Sequence, residues 1–154
     1  MPYSIRQATL HDIPMLCEHR RQMFLDMGHP ASPALDLMSS EFAEWVKPRL
    51  EHGTYFAWLA EDGEKVVAGA GLWLIDWPPH ILDPHGARGY ILNVYTDKAY
   101  RQQGLARLLT QCCLDHCKAK HITVVTLHAS AHGKGLYESM GFQPTNEMRL
   151  NFLA

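Results

Sequence analysis

The chain has 154 residues, of which 47% are hydrophobic and 19% charged, with a formal net charge of −2 and a pI near 6.5. That length fits one domain, residues 1–154, burying about two-thirds of its unfolded surface, and the charge argues against non-specific binding to nucleic acid or a membrane surface. No run is long enough to span a bilayer, and the opening MPYSIRQATL lacks the apolar core of a signal peptide, so a cytoplasmic protein is expected.

Tyr3 to Ala8 alternates as a first strand. Thr9 or His11-Asp12 starts a helix that carries Ile13, Leu16, Cys17, Arg20, Met23, Phe24 and Met27 at three- and four-residue steps and stops at Gly28. After the rigid break Gly28–Pro33 a second helix runs from about Ala34 to Leu50, with Pro48 tightening its last turn. Thr54 to Ala60 and Lys65 to Ile75 form a hairpin across the Asp62-Gly63 step. Gly69 and Gly71 inside its second arm predict a bulge or the close approach of another group. Asp76 to Arg88, with three prolines, reads as a surface loop.

Next comes the most informative stretch, Tyr90 to Cys117: an apolar strand, a polar turn ending in Arg101-Gln102-Gln103-Gly104-Leu105-Ala106, and a helix. His121 to His128 reads as another buried strand, Ala131 to Met140 as a short helix closed by Gly141, and Phe142 onward as a final strand. The order is β α α β β β α β α β, a mixed-sheet α/β (α+β) domain with a strand–helix–strand crossover in its second half. Cys112, Cys113 and Cys117 continue the apolar stripe Leu105, Leu108, Leu109. They are expected as buried thiols rather than disulfides or a zinc site with His116 or His121, and no metal is expected.

A strand entering a helix through a glycine-bearing turn leaves the first backbone N–H groups of the helix unpaired and aimed at one spot. With the positive end of the helix dipole, that spot suits a phosphate. The turn is neither GxxxxGK[ST] nor GxGxxG with a following acidic residue, and Gly133-Lys134-Gly135 is a helix-start turn. What remains is R-x-x-G-x-A after a buried strand, filled by Arg101, Gly104 and Ala106.

In this pattern, in the segment Leu136-Tyr137-Glu138-Ser139-Met140-Gly141-Phe142, and in the order of its elements, the chain resembles the GNAT N-acetyltransferase superfamily. The resemblance implies the acyl-CoA acyltransferase fold, acetyl-CoA (coenzyme A) as cofactor, and a small-molecule or peptide amine as acceptor. It implies that the backbone of Val94, Tyr95 and Thr96 pairs with the pantetheine arm. One of those N–H groups then faces the thioester oxygen, a contact that contributes about 3 kcal/mol in comparable sites. The phosphates fall to Arg101, Gln102, Gln103, Gly104, Leu105, Ala106 and Arg107, with Ser130 where relatives often carry asparagine. Tyr137 is expected to donate a hydrogen bond to the leaving thiolate. Asn93 stands where some relatives place a glutamate base, and the base is left open among Asp76, His80, Asp83, His85 and His128. Two rival readings are an acyl-CoA-binding sensor without turnover and, more distantly, a structural subunit pairing through its apolar C-terminal strand; a homodimer is among the expected partners.

Overall fold

The computed structural model describes residues 2–153. Its elements are β1 (Ser4–Gln7), α1 (Ile13–Asp26), α2 (Pro33–His52), β2 (Tyr55–Asp62), β3 (Lys65–Asp76), β4 (Ala87–Thr96), α3 (Leu105–Ala119), β5 (Val125–Leu127) and α4 (Lys134–Ser139), with short 3-10 turns at Leu10–Asp12 and Lys98–Tyr100. The sheet runs in the order β1-β2-β3-β4-β5, antiparallel except where β5 lies parallel to β4. Among the described residues no helix is long and apolar enough to cross a membrane.

Alternation along the strands sends side chains to two faces. Tyr55, Ala57 and Leu59 of β2 meet Leu16 of α1 and Phe42 and Val46 of α2. Ala68, Ala70 and Leu72 of β3, with Ile91 of β4, meet Leu105, Leu109, Cys113 and Cys117, which recur every fourth residue along α3. The result is three layers, α1 and α2 on one face of the sheet and α3 on the other.

The helix starts follow their capping residues. The Thr9 hydroxyl accepts the His11 N–H at 3.3 Å and the Asp12 carboxylate accepts the Thr9 N–H at 2.7 Å, a reciprocal capping box. Ser32 accepts the Leu35 N–H at 3.2 Å ahead of Pro33, and α2 ends on Gly53 in the left-handed region. Pro48 lies inside α2 rather than in its last turn. Asp12 also receives two bonds of 2.8 Å from the Arg6 guanidinium, which hold its carboxyl below the usual range against the opposing effect of burial. A depressed carboxylate stabilises the fold above its ordinary value of 3.8, and that stability disappears as pH falls through the lower folded value. Asp12→Asn is therefore expected to cost about 1–2 kcal/mol at neutral pH through the lost cap and charge. Melting curves taken from pH 7 downward will show the wild type and the variant converging in acid.

Three expectations change. The strand expected over His121–His128 is confined to Val125–Leu127, because Lys120 caps α3 and His121 turns at φ 59° before the chain meets β4. The helix expected from Ala131 starts at Lys134, because Ser130 opens with a turn: its carbonyl accepts from Gly133 and Lys134, and its hydroxyl from Gly133. The strand expected from Phe142 onward does not form among the described residues. Met148, Leu150 and Phe152 alternate as a strand would, yet are 93%, 76% and 90% exposed. A strand needs a neighbour for its backbone groups, and β5 supplies only three residues of ladder, all of them to β4.

Candidate active site

The site begins with an irregularity in β4. Gly69 faces Tyr95 and Gly71 faces Leu92, so β4 carries one more residue than β3 across this interval. The extra residue is a bulge at Asn93, whose φ of 56° lies in the left-handed region that asparagine tolerates. Beyond it β4 has no strand partner on its far side among the described residues, because β5 pairs only with Gly89, Tyr90 and Ile91. Asp97 N–H bonds to Val67 at 2.8 Å, which makes Thr96 opposite Ala68 a pair whose N–H and C=O turn away from β3. Alternation gives Val94 the same direction, while Tyr95 faces Gly69. Two strand N–H groups, of Val94 and Thr96, thus point to the open side between β4 and β5.

At the end of this gap lies the start of α3. Gly104 caps the helix at φ 82° without a side-chain bond, and a β-carbon there would meet nothing within 4 Å. Among the described residues, no backbone partner is found for the N–H groups from Gln102 to Ala106. Orphan donors, the helix dipole and open space at Gly104 fit an anionic group such as a pyrophosphate. The neighbouring side chains are engaged. Arg101 pairs with Asp26 at 2.7 Å and donates to the Thr96 carbonyl at 2.9 Å, Gln103 accepts from Tyr3, and Arg107 donates to Ser139. Leu105 is buried and packs in the core. Backbone rather than arginine charge dominates this turn. Gln102 occupies φ 62°, where a side chain is strained. Gln102→Gly is expected to add about 0.5–1 kcal/mol of stability, read as a rise of about 1–4 °C in melting temperature.

Tyr137 lies on α4, which follows β5. Its ring is buried, packs edge-on to Phe142 at 5.8 Å, and rests on Gly133, where a β-carbon would come within 2.9 Å of it. Burial pushes its hydroxyl above the ordinary value, with a smaller contribution from Cys113.

The opposite face holds a chain of polar groups that sequence reasoning did not assemble. Arg20 Nη1 donates to Asn93 Oδ1 at 2.7 Å, and Asn93 Nδ2 donates to the Tyr55 hydroxyl at 2.9 Å. A β-carbon on Gly71 would lie 2.1 Å from that hydroxyl, and one on Gly69 would lie 2.9 Å from the buried His19 ring, so both glycines permit a close approach. The Arg20 guanidinium stands 5.1 Å from the Phe24 ring and 5.0 Å from that of Phe42. The signal was present in the sequence: Arg20 sits within the apolar stripe of α1. Trp45 and Trp73 meet edge-on at 5.2 Å beside Tyr55 and Tyr90. Trp77 instead lies under Arg88 in the loop.

The candidate bases separate. Asp83 is held by Arg88, which keeps its carboxyl below the usual range. His80, His85 and Asp76 are exposed in or beside the 77–86 loop. His128 contacts the Tyr90 hydroxyl through Nδ1, and Arg149 lies 3.1 Å from its Nε2. Arginine only donates, so Nε2 accepts, the ring proton sits on Nδ1, and the Tyr90 O–H is left to donate elsewhere. All four thiols are pushed up by burial, Cys117 to about 11 and Cys113 further still. None is poised as a thiolate nucleophile.

Residues 13–142 match the model of the Acetyltransferase (GNAT) family. The chain is 37% identical to the GCN5-related N-acetyltransferase from Ralstonia eutropha, with a TM-score of 0.92 and 99% of each chain covered. It is 29% identical to a predicted acetyltransferase from Clostridium acetobutylicum solved with acetyl-CoA, with a TM-score of 0.90, covering 98% of this chain and 97% of that one. Mycothiol acetyltransferase of Beutenbergia cavernae is 30% identical over 123 residues, 76% of this chain and 37% of that protein. Human N-acetyltransferase 8 is 30% identical over 100 residues, 63% of this chain and 42% of that protein. The chain thus spans about two-fifths of the length of these two curated relatives. Its five-stranded mixed sheet with helices on both faces is the fold of these acetyltransferases, and the chain belongs to the GNAT acetyltransferase family.

Proposed function

We propose that the chain moves an acetyl group from acetyl-CoA to a primary amine by direct attack in a ternary complex. The observation that carries this reading is the unpaired edge of β4 beyond Asn93, which leads straight to the orphan amides at the start of α3. The bound cofactor would supply an acetyl thioester. Val94 N–H is the donor for the thioester oxygen and stabilises the negative charge that develops there by about 3 kcal/mol. Gln102 to Ala106 hold the pyrophosphate through their backbone, with Gly104 allowing the closest approach.

Tyr137 holds the leaving sulfur. Its raised pKa makes outright proton transfer to a thiolate unfavourable, so its role is a strong hydrogen bond with the proton following. The four thiols, pushed up by burial, are poor carriers for the acetyl group, which favours direct attack. An ammonium of pKa ~10.4 is neutral only about once in 2,500 at pH 7, a cost near 4.6 kcal/mol. Desolvation against Phe24, Phe42 and Trp73, and the nearby Arg20 cation, both lower the acceptor's pKa. His128 is in contact with Tyr90 and Arg149 and lies 4.0 Å from Glu147.

Release of free thiol from acetyl-CoA across a panel of amines tests the reading. Acceptor-dependent thiol release supports it. Coenzyme A binding without thiol release from any amine favours the sensor, a reading that draws on His128 being occupied. The alternating, exposed Met148, Leu150 and Phe152 support the homodimer, since each copy carries an unpaired segment with the alternation of a strand and a short edge strand at β5. Light scattering is expected to give twice the mass of the 17.5 kDa chain, and a chain truncated after Glu147 is expected to be monomeric.

A further inference from the structure

Arg20 is out of place by ordinary rules. It lies on the inward face of α1, between the rings of Phe24 and Phe42, with a buried Nε that has no partner among the described residues. Its one hydrogen bond goes to a neutral amide, Asn93 Oδ1. Arg6, Arg21, Arg88 and Arg101 each hold a carboxylate at 2.5–2.8 Å, whereas Arg20 holds none among the described residues. Arg49, Arg107 and Arg149 also lack a carboxylate among the described residues, but Arg49 donates to the Trp45 carbonyl and lies over the Trp45 ring, and Arg107 and Arg149 are exposed. Burial disfavours the charge on Arg20. A cation withdrawn from water without a counter-ion is costly, so buried charges are normally paired.

The position of Arg20 indicates what would pair with it. Asn93 is the bulge residue, and the next residue is Val94, the proposed donor to the thioester oxygen. The unpaired charge is therefore one side chain away from where the acceptor nitrogen must arrive. Two aromatic rings stand about 5 Å from the guanidinium, and its forked donors match the two oxygens of a planar carboxylate. We propose that Arg20 binds a carboxylate carried by the acceptor, so that the substrate is a small amino acid or a close analogue with amine and carboxylate a few bonds apart. This inference rests on the transferase reading of the cleft.

Binding measures it without turnover. Titration calorimetry on the protein saturated with coenzyme A compares N-acetylglycine, N-acetylalanine and N-acetylphenylalanine with their neutral primary amides. At least one acid is expected to bind ten- to a hundredfold more tightly than its amide, the range of one or two charge-assisted hydrogen bonds. Arg20→Met is expected to erase that preference and Arg20→Lys to keep part of it. Equal or absent binding of acid and amide in the wild type, or a preference that survives in Arg20→Met, overturns the proposal. The wild-type comparison stands even if a variant fails to fold. Acids that bind selectively, with no thiol release from the matching amines, would sink the transferase reading while leaving the carboxylate site intact.

Discussion

Tyr137→Phe is expected to lower kcat about a hundredfold, the lower end of what a positioned acid contributes, with the dissociation constant of coenzyme A held within about threefold. The reasoning is local. Phenylalanine keeps the ring between Gly133 and Phe142, and so keeps α4 in place, while removing the hydroxyl proposed to meet the leaving sulfur. An interaction made only as charge develops on the sulfur changes turnover and leaves ground-state binding alone. Equal losses in kcat and in coenzyme A affinity would make Tyr137 a packing residue. Unchanged turnover would remove it from the chemistry.

Gly71→Ala is expected to cost about 3 kcal/mol, seen as a fall of about 6–12 °C in melting temperature for a chain of this size. The new β-carbon would stand 2.1 Å from the Tyr55 hydroxyl and 3.1 Å from the Leu92 carbonyl. Neither gives way easily: Tyr55 is 1% exposed, and the carbonyl belongs to the strand beside the bulge. Moving Tyr55 leaves Asn93 Nδ2 buried without its acceptor and loosens Arg20 in turn. The companion is Tyr55→Phe, which removes the clashing oxygen. In the double variant the two losses are expected to fall short of their sum by more than about 1 kcal/mol, since the residues share one contact. Strict additivity would mean that the strain at Gly71 is relieved elsewhere.

The sequence read well where structure is decided by neighbours along the chain. Thr9 with Asp12, Ser32 with Pro33, and Gly53 each mark a helix end by side-chain or backbone chemistry within a few residues. The start of α3 was legible for the same reason, because Gly104 and the helix after it form one local unit. Gly69 and Gly71 predict a bulge or a close approach in β3; both permit a close approach, and the extra residue lies in β4 opposite them. What was missed depends on distant pairing. The polar chain Arg20–Asn93–Tyr55 joins α1, β4 and β2, and no spacing rule connects those positions. The expected last strand failed on the same ground: Met148, Leu150 and Phe152 have the alternation of a strand, but alternation does not supply the partner. Arg101 shows the limit of reading a motif by charge, since its guanidinium is occupied by Asp26 and Thr96 while the unpaired donors at the turn are backbone amides.

The central claim is that coenzyme A lies along the open edge of β4 with its pyrophosphate at the start of α3. Amide chemical-shift mapping on addition of acetyl-CoA tests it most directly. The predicted result is saturable, co-varying shifts of the Val94 and Thr96 amides and of Gln102 to Ala106, with Tyr137 responding in the same titration. Shifts confined to other surfaces, or none at saturating acetyl-CoA, would contradict the account.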